Sequence, residues 1–115
     1  AYLMNEYAVI TYAFKEGNLQ KCLQEKMLDE DFRCNTTKKD LYSYVRLEDI
    51  DLLNQKAGLK REQIIGVDGA TDYIRPFLNK MSEEDFQIFI KYQMSICERQ
   101  DLIGASSHTV DILKK

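Results

Sequence analysis

From Ser82 to about Arg99, Phe86, Ile88, Phe89, Ile90, Tyr92, Met94, Ile96 and Cys97 cover about two thirds of a helix circumference at roughly 100° per residue. Gln87, Lys91 and Ser95 form the one clean polar stripe. A surface helix needs a narrower apolar face, so this one is expected to pack on two sides. Ser82 suits its N-cap, and Glu83, Glu84 and Asp85 suit the positive helix end. After a turn at Gly104 the tail alternates, with Val110 and Ile112 against Thr109 and Asp111. That is the period of a half-buried strand.

Upstream, Ala1 to Met4 reads as the end of a strand. Asn5 is then an N-cap, and Tyr7, Val9, Ile10, Ala13 and Phe14 give a broad apolar helical face that ends at Gly17-Asn18. A short helix is expected over Leu19 to Leu28. Asp29 to Thr36 reads as a loop anchored by Phe32. Thr37 with Asp40 is a weakened capping box. It would start a helix with Leu41, Tyr44 and Val45 inward, continuing through Leu47, Ile50, Leu53 and Ala57 to Gly58, with a break near Arg46 to Glu48. Ile64, Ile65 and Val67 are β-branched and lie between a charged KREQ and the turn residues DGAT, which predicts a second strand there. A helix over Asp72 to Met81 follows, with Tyr73, Ile74, Phe77 and Leu78 inward. Pro76 restricts it to a first-turn position or a kink.

The chain has 115 residues, 44% hydrophobic and 30% charged, which suits one folded domain rather than a disordered one. Its net charge of −3 argues against a nucleic-acid or anionic-membrane partner. No apolar run reaches the length of a membrane span, and no signal pattern is present. Cys22, Cys34 and Cys97 are odd in number and widely spaced, so free thiols in a reducing cytoplasm are expected. The opening AYLMNEYAVITYAF is apolar from its first residues. That leads us to expect a fragment whose N-terminal partner is missing.

Motifs for nucleotide cofactors and for a nucleophilic serine are absent. Glu48, Asp49 and Asp51 are compatible with a metal site, although three acids this close on a helix more often make a solvated face. Cys97 and His108 approach one another if the tail folds back, but Cys97 falls on an apolar helix face and is expected to be structural. His108, in ASSHTVD, is either an acid, base or ligand-orienting group or a hydrogen-bonded structural residue. Glu98, Arg99 and Asp101 crowd a helix end where the two acids oppose the dipole. They make CERQDLIG the least ordinary polar segment of the chain.

CERQDLIGASSHTVDILKK, IGVDGATDYIR and DFRCNTTKKDLYSYVRLEDID together resemble the C-terminal region of a bacterial family of S-adenosylmethionine-dependent methyltransferases. AYLMNEYAVITYAF resembles the junction where the fifth strand of that family's sheet enters a helix. The resemblance implies a fragment of a class I methyltransferase α/β fold. Lys60–Asp68 would be the sixth strand and His108–Leu113 the seventh, inserted between fifth and sixth and antiparallel to both. Helices from Leu19 to Gly58 would cover the substrate side. The family's glycine-rich cofactor loop and ribose-binding acid lie upstream of Ala1. The chain by itself is therefore expected neither to bind S-adenosylmethionine nor to catalyse, and no catalytic residue carries over. Arg75, Glu98, Arg99 and His108 are candidates for shaping the acceptor pocket of the intact enzyme.

The fold expected is α+β, mainly helical, with a small antiparallel sheet of two strands and a third at the N-terminus. The function expected is that of a C-terminal methyltransferase fragment partnered by the missing cofactor-binding domain, for an acceptor the chain does not name. The alternative is a stand-alone cytoplasmic α+β interaction module. Lys38, Lys39, Lys60 and Arg61 do not outweigh the acids around them, which disfavours DNA binding. Sheet edges left bare by a missing domain would also promote self-association.

Overall fold

The tail strand organises the sheet. In the computed structural model, which describes residues 1–115, β4 (His108–Lys114) lies between β1 (Tyr2–Met4) and β3 (Lys60–Gly66) and is antiparallel to both. The expected position and direction of that strand are thus observed. A fourth strand, β2 (Tyr44–Val45), pairs parallel to β1 on its free side, giving the order β2-β1-β4-β3. The fold is α+β, and the sheet is mixed and four-stranded rather than purely antiparallel.

Which face of β4 turns inward reverses the expectation. Thr109 is fully buried and the Asp111 side chain is 1% exposed, whereas Ile112 on the opposite face is 38% exposed. The cause is an ion-pair network. Arg61 grips Asp111 through Nε and a terminal nitrogen at 2.7 and 2.9 Å, and Asn54 donates to the same carboxylate at 2.6 Å. Alternation shows that a strand has two faces, but paired charges decide here which face is covered.

Between β1 and β2 the chain forms α1 (Asn5–Ala8), a π-helical continuation Val9–Lys15, and α2 (Leu19–Gln24), which stops short of the expected Leu28. Val9, Ala13, Cys22 and Leu28 make a small core there, while Ile10 and Phe14 remain exposed. Phe32 is no anchor, being 43% exposed. Asn5 holds the loop instead. Its buried side chain donates to the Phe32 carbonyl at 2.9 Å and accepts from the Cys34 N–H at 2.8 Å.

The helix expected from Thr37 does not form. The Thr37 N–H does donate to Asp40 at 2.6 Å, but Tyr44 and Val45 are taken by pairing with β1. Helix α3 (Leu47–Ala57) begins at the anticipated break, where the Asp49 carboxylate accepts from the Arg46 N–H at 2.8 Å. Its inward residues are Ile50 and Asn54, and Leu53 and Ala57 are exposed. The helix expected over Asp72–Met81 shrinks to α4 (Arg75–Leu78), with Pro76 in its first turn and Phe77 outward. Proline tolerates only that position without breaking a backbone hydrogen bond.

Helix α5 (Glu83–Ile96) carries the expected cap, Ser82 Oγ accepting from the Asp85 N–H at 3.1 Å. Its two-sided packing is not found. Gln93 is its one buried residue, while Ile88, Tyr92 and Met94 are 60%, 55% and 69% exposed. A short helix α6 (Gln100–Ile103) leads into β4. The molecule is a slab of 44 × 42 × 23 Å, and its radius of gyration of 15.9 Å exceeds the roughly 13 Å of a compact chain this long. No helix is long and apolar enough to cross a membrane.

Candidate functional site

The polar residues that meet most closely lie where β3 ends and β4 begins. β3 runs out at Gly66 into a turn, Val67-Asp68-Gly69, and β4 enters beside it through Ser106 and Ser107. Ser106 Oγ accepts from the N–H groups of Asp68 and Gly69, both at 3.1 Å, and donates to the His108 carbonyl at 2.7 Å. One buried hydroxyl therefore satisfies three backbone groups that a tight turn would leave orphaned. Gly69 has φ +54°, and Gln93 fills the space beside it while donating to the Gly66 carbonyl at 3.1 Å.

That turn aims Asp68 at His108. Asp68 Oδ2 lies 2.5 Å from His108 Nδ1, accepts from the His108 backbone N–H at 3.0 Å, and accepts the Ser107 hydroxyl. Burial would push the Asp68 carboxyl up, but the hydrogen bonds from Ser107 and His108 outweigh it and hold the carboxyl below its ordinary range. An ionised carboxylate only accepts, so Nδ1 carries the imidazole proton. In the neutral ring Nε2 is then the acceptor, and it makes no hydrogen bond within the chain.

Serine, histidine and aspartate meet here without forming a nucleophilic triad. Ser107 gives its proton to Asp68 and lies 3.2 Å from Nδ1, on the wrong side of the ring for Nε2 to activate it. What the arrangement can do is present one oriented, half-exposed imidazole nitrogen.

His108 opens into a cleft of about 550 Å³. Tyr2, Tyr7, Tyr12, Tyr42 and Tyr44 line it, contributed by β1, the first helix and the segment before α3. Tyr12 sets its ring edge-on to Tyr7 and to Tyr44, with centroids 6.4 Å apart in each pair. Burial and the neighbouring Tyr12 push the Tyr44 hydroxyl up to about 12, so it stays protonated.

The other candidates from the sequence lie elsewhere. Arg75 is exposed and pairs with Asp72. Glu98 sits exposed in the turn after α5. Arg99 makes a two-pronged pair with Asp101 at 3.0 and 2.7 Å. Asp101 stands in the first turn of α6, which removes the apparent clash with a helix C-terminus. None of the three lines the cleft. Glu48 and Asp49 face Arg33, and Asp51 faces Arg61, so each acid of that cluster is matched by a guanidinium. Asp68 and the tyrosines escaped the sequence reading. The turn signal in GVDGAT marked the place of Asp68, though not its partner 40 residues on.

No family model matches the chain, and neither a curated protein nor a solved structure is significantly similar to it. The tight glycine turn beside the candidate site gives its space to Gln93, which a Cβ on Gly69 would meet at 2.2 Å.

Proposed function

We propose that this chain supplies the last sheet strands and the acceptor side of a class I S-adenosylmethionine-dependent methyltransferase whose cofactor-binding part precedes it. The order of β1, β4 and β3 carries the reading. β1 and β3 run parallel, and the final strand is inserted between them in the opposite direction. On the other side β1 pairs in parallel with β2, and parallel pairing is usual in sheets covered by helices on both faces, which supports a larger sheet. The thin slab and the bare flanks of α5 point the same way.

In this reading the chain's residues bind and orient the acceptor, and the cofactor is held by residues upstream. Calorimetric titration with S-adenosylmethionine tests it. The product of the whole reading frame that encodes this chain is expected to bind, and residues 1–115 alone are expected not to. Binding by residues 1–115, or none by the longer product, overturns the proposal. The second outcome favours an interaction module, for which the exposed Ile88 and Met94 would be the contact surface.

A further inference from the structure

Five tyrosines and one oriented histidine around a single cleft constrain what enters it. The volume of about 550 Å³ is that of a small-molecule site. No aspartate, glutamate, lysine or arginine side chain lines it, and the one ionic group of the lining is the Ala1 amino terminus, so a cationic ligand would be desolvated without a partner. Aromatic rings set edge-on, as Tyr12 is to Tyr7 and Tyr44, favour a further ring in offset or edge contact. At the cleft wall, Asp68 holds a proton on Nδ1, so in its neutral form His108 offers the Nε2 lone pair as an acceptor. A ligand complementary to this cleft is neutral, planar and equipped with one hydrogen-bond donor.

We infer that the cleft binds a phenol, a neutral aromatic ring among the tyrosines whose hydroxyl donates to His108 Nε2. Joined to the proposed function, that phenol is the methyl acceptor, and this identification rests on that reading. The binding site itself stands on the cleft alone. A quaternary ammonium ion is the competing occupant, since tyrosine faces attract cations. It would leave Nε2 without a donor, and no carboxylate lines the cleft to neutralise it.

Calorimetric titrations with 4-ethylphenol, its methyl ether 4-ethylanisole and phenyltrimethylammonium separate the occupants. Saturable binding of 4-ethylphenol is expected, with the ether about tenfold weaker, the worth of one ordinary hydrogen bond. His108→Ala changes an exposed side chain and should abolish the preference for the phenol while leaving the ether's affinity unchanged. Tyr12→Ala should weaken both. The proposal is overturned by equal binding of phenol and ether, by preferential binding of the ammonium ion, by a preference that survives His108→Ala, or by no saturation. Should residues 1–115 self-associate, the same titrations on the product of the whole reading frame decide. No cofactor is present in them, so a failure here removes the cleft's ligand without touching cofactor binding by the longer chain.

Discussion

Substituting Asp111 by alanine should remove the main polar tie between α3, β3 and β4. The carboxylate accepts two bonds from Arg61 and one from Asn54, and its side chain is 1% exposed. Breaking a buried ion pair by deleting one partner costs about 3–5 kcal/mol. The lower end applies here, because Arg61 keeps its 2.6 Å contact with Asp51 and is itself 23% exposed. Asn54 meanwhile loses its acceptor in a buried position. We expect a loss of about 3 kcal/mol, or roughly 10 °C in Tm. Burial would raise the Asp111 carboxyl, but Arg61 and Asn54 outweigh it and hold it below its ordinary range. Its contribution is therefore complete above the unfolded value of about 3.9 and is lost as pH falls through the lower folded one. Urea unfolding of the wild type and of Asp111→Asn between pH 7 and pH 3 should converge toward the acid end. Arg61→Leu with Asp111→Leu should recover most of the loss, since neither charge is then left buried. An Asp111→Ala cost below about 0.5 kcal/mol, well under a buried pair's worth, would refute the reasoning. So would a gap between wild type and Asp111→Asn that stays constant with pH.

Asn5→Ala should cost about 2 kcal/mol by orphaning the Cys34 N–H and the Phe32 carbonyl, and amide exchange should quicken across Asp29–Asn35; unchanged exchange there would count against the anchoring role. Gly69→Ala should cost about 2 kcal/mol, part from the left-handed backbone and part from displacing Gln93. In a Gln93→Ala background only the backbone part remains, so equal costs in both backgrounds would disprove the clash. Ile88→Lys with Met94→Lys should leave Tm within about 2 °C of wild type while shifting sedimentation toward monomer. A wild-type chain that already sediments as a monodisperse monomer would contradict the expected self-association.

Local chemistry was legible in the sequence wherever the local signal was also the deciding one. Ser82 caps α5, Pro76 restricts α4, and the β-branched run Ile64-Ile65 makes β3. Failures came where a distant partner decided. Tyr44 and Val45 have helical spacing from Leu41, yet β1 offers them a strand edge. Thr109 and Asp111 look like the solvent face of β4, yet Arg61 makes that the inner one. His108 stood out in the sequence, whereas Asp68, which gives it an oriented nitrogen, lies 40 residues away. Five tyrosines drawn from separate segments had no common period to expose them.

The breadth of α5's apolar surface anticipated a partner on each side, but only the stripe through Phe86, Phe89, Gln93 and Ile96 is covered, and that in part, while Ile88, Ile90, Tyr92 and Met94 are exposed. A 14-residue helix is marginal in water by itself, so tertiary cover has to supply much of its stability. Here Gln93 alone is buried, and Ile112 on the sheet's outer face is open as well. Two candidates for that cover behave differently. A second copy of the chain stabilises by mass action, so Tm would rise with protein concentration. A segment upstream in the same polypeptide is tethered, so the longer product would melt at a Tm independent of concentration.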